Sequence, residues 1–319
     1  MTRNDVTKCK VAVLCGGWSD ERDVSLLSGG EVRTALQQAG FEHVDLMDIA
    51  APDFIGTIST GGYDVAFVAL HGKYGEDGSI QGLLDILHIP YTFSGVLASA
   101  MAMEKDVAKA VYRREGIPVA DDVTLHAGEV PTDEELAAMV ERLGLPLFVK
   151  PAGNGSSFGI TRVVAADELR AAVELAMGTG TSVLIESAIE GTEITVPVLG
   201  NDDARALPII QINTGADFYD IKVKYEPSEL HHVIPARINE ESYARAQELA
   251  VDAHRALGCR GCSRSDFIVR EDGTPVILET NTIPGMTSAS LLPDSARHGG
   301  MEFPDLCKHF VELALEDVR

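Results

Sequence analysis

Positive charge is what this chain most lacks. Lysine and arginine number 26 against 49 aspartates and glutamates, a formal net charge of −23 over 319 residues. Duplex binding rests on neutralising phosphates with lysine and arginine, so the balance argues against a nucleic-acid partner. It also means that any phosphate ligand needs a locally basic pocket, a bound divalent metal, or both. No apolar run reaches membrane-spanning length, and the one near the N-terminus, "VAVLC", is too short for the core of a secretory signal. A cytoplasmic protein without a membrane partner is expected. The cysteines number five, an odd count that fits reduced thiols better than a disulfide framework. There is no long Pro/Gly/Ser tract and no repeat of solenoid period, which sets disorder and repeat architectures aside. With 45% hydrophobic residues and a mean hydropathy of +0.06, the chain should fold into two or three compact lobes.

What is present reads as α/β in its first part. "VAVLCGG" (11–17) is a buried-strand pattern ending in a glycine turn, and "EVRTALQQAGF" (31–41) has helical apolar spacing. "YDVAFVALHG" (63–72) and the helix-like "IQGLLDILHI" form a second βα unit, the way a doubly wound lobe is built. Proline and glycine in "IPYTFSG" (89–95) break the pattern, placing a lobe boundary near residue 95, and "ASAMAMEKDVAKAVYRREGI" (98–117) predicts one long helix. Further on come a strand "DDVTLHA", a helix "TDEELAAMVERLG", and "PLFVKPAGNGSSFGITRV", two strands joined by a Gly/Ser loop. After residue 190 the strands "EITVPVLG", "ALPIIQI", "SDFIVRE" and "TPVILETN" surround the helix "ESYARAQELAVDAHRALG".

Several stretches carry candidate chemistry. "CGGWSDERDVSLLSG" (15–29) fails the G-x-G-x-x-G dinucleotide spacing, and turn and cap chemistry explains much of it; Glu21 beside Arg22 at a strand's carboxyl end is left over, where α/β ligands bind. "LHGKYGEDGS" (70–79) sets His71, Glu76 and Asp77 among glycines that allow close approach of a small ligand, although a lone histidine there is more often held by backbone. "CRGC" (259–262) has no second cysteine pair at metal spacing, so buried thiols explain it better than zinc. "FYDIKVKYEPSE" (218–229) is either an alternating surface strand or an active-site loop carrying a lysine and a tyrosine.

"SRSDFIVREDGTPVILETNTIPGMTS" (263–288) is the most informative. Glu279 and Asn281 are two apart and project from one face of an extended strand, and a hairpin through "EDG" lets Asp266 meet them. Two carboxylates and an amide oxygen are an incomplete hard-oxygen shell, suited to Mg²⁺ with positions left for substrate phosphates.

"GGWSDERDVSLLSG", "ALHGKYGEDGSIQGLL", "KPAGNGSSFGI", "FYDIKVKY", "GCSRSDFI" and "ETNTIPGMTSASLLP", in this order and over essentially the whole chain, resemble the ATP-grasp superfamily and within it the D-alanine–D-alanine ligases. The resemblance implies α/β and α+β lobes at 1–95 (Rossmann-like), 96–188 (central) and 189–319 (C-terminal), with ATP gripped between the last two. In that family a lysine stands before the Gly/Ser loop because it reaches the phosphates from a strand, with the loop folding over them as a lid. Lys150, Lys105, Gly155 and Ser157 therefore resemble the phosphate-binding residues, Glu186, Ala188 and Ile189 the adenine site, and Glu193 the ribose ligand. Asp266, Glu279 and Asn281 match the Mg²⁺ ligands, two ions being expected, with Mn²⁺ able to substitute. Arg264 and the N–H of Gly285 match oxyanion donors, and Glu21, with Ser156 and Tyr225, the group that holds the first D-alanine's ammonium. His71 and Lys224 match residues near the substrates, and Ser290 and Leu291 the site for the second D-alanine's carboxylate. A homodimer is implied. The implied activity is ATP-dependent joining of two D-alanines through a D-alanyl phosphate, for peptidoglycan precursor synthesis.

Phe93, Ser263, Ser265 and Ile221 depart from the usual family pattern, where a glycine, flanking residues of other types and a tyrosine are common. Three rivals stand beside this reading: a ligase using D-lactate or D-serine as second substrate, another ATP-grasp ligase of different acid and amine, and a nucleotide-binding regulator on the same scaffold. Tyr225 favours the dipeptide enzyme over the lactate type, and the retained metal and lid residues disfavour the regulator.

Overall fold

Strands that contain nothing polar must be covered on both faces. Val11–Leu14 and Val65–Val68 meet that condition and are 0% exposed. They form the middle and one edge of a parallel three-stranded sheet made by β1 (Lys10–Cys15), β2 (His43–Asp48) and β3 (Val65–Val68), ordered β2-β1-β3. The computed structural model describes residues 5–153, 159–213 and 232–316.

The helix after β1 differs from the sequence expectation. It was expected over 31–41, yet α1 runs from Arg22 to Gln38, nine residues earlier. Serine and glycine at 25 and 28–30 lower helix propensity, but tertiary packing outweighs it. Ser25 Oγ donates to the Ala69 carbonyl at 2.7 Å and accepts from the Gly16 N–H at 2.9 Å, while Gly29 packs where a Cβ would stand 2.6 Å from Cys15 Cβ. Small polar residues are thus what allow α1 to lie directly on the strand. Short helices α2 (Phe54–Thr60) and α3 (Ser79–Ile86) complete this part.

The expected long helix over 98–117 is two: α4 (Val96–Met103) and α5 (Lys105–Arg114). Glu104 between them has ψ 99°, and the Lys105 N–H goes to the Ala152 carbonyl at 3.0 Å instead of continuing the ladder. That break aims the start of α5 at the segment following Lys150.

A four-stranded antiparallel sheet ordered β4-β7-β5-β6 follows, from β4 (Asp122–Leu125), β5 (Leu147–Pro151), β6 (Thr161–Val163) and β7 (Val183–Ser187). Helix α6 (Asp133–Leu143) starts at a capping box between Thr132 and Glu135, and with α7 (Leu169–Met177) it covers the sheet. The last sheet is ordered β11-β10-β8-β12-β13, with β9 (Arg205–Ala206) against β8 (Thr192–Leu199). Its other strands are β10 (Ile210–Ile212), β11 (His232–Val233), β12 (Cys262–Val269) and β13 (Pro275–Asn281). Helix α8 (Glu240–Leu257) packs on it together with α4 and α5.

Packing does not follow chain order everywhere. The closing helices α9 (Leu291–His298) and α10 (Phe303–Glu316) bury Leu292, Leu306, Phe310 and Val311 in the core of the first sheet. Phe310 meets Phe93 and Phe67 edge to face, with ring centroids 4.9 and 6.2 Å apart. Phe93 takes φ 72°, a conformation that favours glycine, and its ring fills that core while its backbone lies against Gly261.

Candidate active site

In the first sheet the chain leaves β1 toward β2 on one side and reaches β3 on the other. The carboxyl ends of β1 and β3 therefore open a crevice where ligands of α/β sheets bind. Glu21, at the start of α1, and His71, in the turn after β3, stand at this opening. Gly72 has φ 67°, and a Cβ there would lie 2.9 Å from Glu21 Oε2, so the glycine lets the two loops close on each other. His71 is buried, its Nε2 3.2 Å from Ser28 Oγ. Burial lowers its pKa, opposed in part by the Glu21 charge and a hydrogen bond with the Ile283 backbone, so a neutral imidazole is favoured. Glu76 accepts the Gly72 N–H at 2.7 Å. Burial and then the Glu21 charge push its pKa up to about 8.

Glu76 makes a testable difference to pH dependence. Its folded pKa lies above the ordinary value of 4.5, so the stability it contributes is full below pH 4.5 and is lost as pH rises toward about 8. Glu76→Gln removes that titration, and the variant should gain on the parent protein by roughly 2–4 kcal/mol between pH 5 and pH 8.5. Thermal midpoints of both proteins across this range check it. Parallel curves would show that Glu76 ionises as an ordinary surface carboxylate.

The β12–β13 hairpin supplies the next group. Asp266 pairs directly with Glu279 and Arg264 with Asn281, so the alternation of a strand puts all four side chains on one face. The turn is closed by Gly273 at φ 86°, as the "EDG" reading expects. Arg264 grips Asp266 with two bonds of 3.0 and 2.9 Å, and Thr195 Oγ1 on β8 donates to the same carboxylate at 2.5 Å. Lys105 Nζ lies 3.1 Å from Glu279 Oε2. Asn281 Nδ2 is buried without a hydrogen-bond partner. An amide turned over places its oxygen there instead, which with the two facing carboxylates gives a donor set that fits a hard divalent cation. Among the described residues no three His, Cys, Asp or Glu side chains cluster as metal ligands; this set is two carboxylates and an amide.

Ser263 and Ser265, the departures flanking Arg264, point to the opposite face. Ser263 Oγ meets His254 Nδ1 at 2.8 Å, and Ser265 Oγ meets Thr280 Oγ1 at 2.8 Å, which also accepts from the Tyr112 hydroxyl. They brace the strand from beneath and leave the site face unchanged.

A buried charge cluster spans β4, β7 and β5 of the second sheet. Lys150 on β5 and Lys109 on α5 each pair with one oxygen of Glu186 on β7, and Lys109 Nζ also lies 3.0 Å from Asp122 Oδ1, itself paired with Arg113. Burial opposes the Glu186 charge, but the two ammonium groups outweigh it and hold the carboxyl below its ordinary pKa. For Lys109 burial wins, lowering it to about 8. Lys109 is absent from the sequence reading. One turn after Lys105, it shares a helix face with it, and that i,i+4 spacing is the only signal the sequence offers.

Ala188 donates its N–H to the Pro146 carbonyl at 3.0 Å, Ile189 follows half-buried, and Glu193 lies on β8 opposite Ile268. Ser290 caps the start of α9, Leu291 is that helix's first residue, and a Cβ on Gly285 would lie 2.9 Å from Ser290 Oγ, so this loop closes on itself. Gly155, Ser156, Ser157, Ile221, Lys224 and Tyr225 lie outside the described residues. In "CRGC", burial pushes the Cys259 thiol up to about 12 and raises Cys262 well above the ordinary thiol value, as inert buried thiols require. Among the described residues no helix is long and apolar enough to cross a membrane.

Residues 51–94 match the family described as D-ala D-ala ligase N-terminus, and residues 111–312 match D-ala D-ala ligase C-terminus. A D-alanine–D-alanine ligase of Pelotomaculum thermopropionicum is 46% identical over 312 residues, 97% of this chain and 97% of that protein. One from Desulforudis audaxviator is 46% identical over 308 residues, 96% of this chain and 99% of that protein. The crystal structure of the Bacillus anthracis D-alanine–D-alanine ligase complexed with ATP superposes with a TM-score of 0.82 at 33% identity, covering 97% of each chain.

Proposed function

The chain belongs to the D-alanine–D-alanine ligase family, and from that premise we propose how its residues divide the work. The protein is an ATP-dependent ligase of ATP-grasp fold that joins two D-alanines into D-alanyl-D-alanine, releasing ADP and phosphate, for peptidoglycan precursor synthesis. It acts in the cytoplasm as a homodimer, with lobes near 1–95, 96–188 and 189–319 that exchange elements, since α4 and α5 pack on the last sheet and α9 and α10 on the first.

A carboxylate oxygen of the first D-alanine attacks the γ-phosphorus of ATP, the bond to the β-phosphate oxygen breaks, and D-alanyl phosphate and ADP result. The amine of the second D-alanine then attacks the acyl carbon, loses its proton, and phosphate leaves. Glu21, with Ser156 and Tyr225, holds the first ammonium beside neutral His71. Lys105 and Lys150, with Gly155 and Ser157 of the lid, bind the phosphates. Glu186, Ala188 and Ile189 hold adenine and Glu193 the ribose; Lys224 lies near the substrates. Arg264 and the Gly285 N–H stabilise the oxyanion where charge develops. Ser290 and Leu291 receive the second carboxylate. Asp266, Glu279 and Asn281 would hold two Mg²⁺ ions, or Mn²⁺, which when bound neutralise the phosphates that a protein of charge −23 would otherwise repel.

The observation that carries this reading is the register of the hairpin. Asp266 faces Glu279 and Arg264 faces Asn281, while Lys105 reaches Glu279 from α5, so anionic ligands and phosphate-binding cations converge on one face. Phosphate release with D-alanine as the sole amino acid tests it, together with product mass analysis in mixed D-alanine and D-lactate from pH 7 to 9. D-alanyl-D-alanine should be the main product, increasing with pH as the attacking amine loses its proton. Ester dominating at neutral pH would move the protein to the depsipeptide ligases.

A further inference from the structure

We propose that Glu31 is a positioning residue for the second D-alanine: from α1 its carboxylate latches the Ser288 peptide and so fixes the turn that presents Ser290 and Leu291. The proposal rests on the ligase reading given above.

The turn from Thr287 to Ser290 is closed within itself. The Ser290 N–H donates to the Thr287 carbonyl at 2.9 Å, the Thr287 N–H donates to Ser290 Oγ at 3.1 Å, and the two hydroxyl oxygens lie 2.7 Å apart. Its base is anchored, since Ile283 and Met286 are buried in the core of the first sheet. Its tip, Ser288 and Ala289, is exposed. Two side chains grip that tip through one residue: Glu31 Oε2 accepts the Ser288 N–H at 2.6 Å, and Arg297 on α9 donates to the Ser288 carbonyl at 2.7 Å. Arg297 belongs to the helix that the turn itself begins, so its bond to Ser288 closes the turn onto that helix. Glu31 reaches the tip from α1, the helix whose start carries Glu21 and whose Ser28 meets His71 at the crevice.

Helix α1 joins both substrate positions. Glu21 stands at its start beside Gly72, Ser25 ties it to the end of β3, Ser28 holds His71, and Glu31, three residues beyond Ser28 and on the same face, holds Ser288. One rigid helix therefore sets the distance between the group that receives the first amino acid and the turn that receives the second. Attack of an amine on an acyl carbon is sensitive to that distance, because near-attack geometry places the reacting atoms about 3–3.5 Å apart.

The test compares Glu31→Ala and Glu31→Gln with the parent protein. It measures the separate KM values for the two D-alanines, the KM for ATP, the thermal midpoint, and positional isotope exchange in ATP, which needs only the first D-alanine. Glu31→Ala should raise the second KM roughly five- to tenfold. The first KM, the KM for ATP, the isotope exchange and the thermal midpoint should stay where they are. Glu31→Gln, which keeps an oxygen acceptor, should recover much of the loss. An unchanged second KM in Glu31→Ala would overturn the proposal. So would a fall in isotope exchange and thermal midpoint alongside the second KM, the pattern of a merely structural contact. Failure of the parent protein to make dipeptide from D-alanine would instead overturn the ligase reading, and this proposal with it.

Discussion

Glu279→Gln is expected to leave the fold intact and to lower kcat by about a thousandfold or more. Glutamine keeps the shape of the side chain and an oxygen acceptor, and Glu279 lies in a strand whose pairing with β12 is made by backbone, so folding has little reason to fail. What disappears is one of two anionic donors facing each other across the hairpin. A hard divalent cation held by carboxylate oxygens loses much of its affinity when one of them becomes neutral. Lys105 also exchanges a charged neighbour for a neutral acceptor. Circular dichroism and a thermal melt establish the fold, and phosphate release at ordinary Mg²⁺ measures turnover. Near-normal turnover would show that the hairpin does not bind the metal.

Lys150→Ala should raise the KM for ATP and lower kcat together, with kcat/KM falling roughly a hundred- to a thousandfold, because a lysine on the phosphates serves both ground-state binding and the transferring group. The neighbouring Lys109 separates catalysis from stability. Lys150 gone, Glu186 still has Lys109; Lys109 gone, both Glu186 and Asp122 lose a buried partner. Lys109→Met should therefore act first on the melting temperature, at a cost of about 1–3 kcal/mol, because Glu186 keeps Lys150 and Asp122 keeps Arg113. Lys150→Ala should leave the melt within a few degrees. If neither kinetic constant moves in Lys150→Ala, the lysine before the Gly/Ser loop is structural.

Sequence alone made the hairpin legible because its signal is local. Strand alternation fixes which residues share a face, and "EDG" fixes where the chain turns back, so Asp266, Glu279 and Asn281 could be brought together without knowing anything else about the fold. Lys109 had no such signature. On an amphipathic helix a lysine reads as a solvated residue, and only the approach of Glu186 and Asp122 from two other strands makes it a buried one. The break between α4 and α5 was hidden for a related reason: no proline or glycine marks Glu104, and the Lys105 N–H is drawn off by Ala152, which lies far along the chain. The start of α1 was obscured by serines and glycines that look like a loop until the strand beneath them is in view. In each case the missing information is long-range packing, which local propensity does not contain.

The closing helix α10 has a bearing on how the chain is made. Ribosomes deliver the first sheet long before Leu306, Phe310 and Val311 emerge, and those residues are part of its core. Until then Phe67 and Phe93 face a groove with its lid still in the exit tunnel or unsynthesised. The nascent N-terminal part must therefore wait, with apolar surface uncovered, while some two hundred residues of intervening chain fold ahead of it. The order of synthesis and the order of completion are reversed, because the first sheet is made before the helix that completes its core.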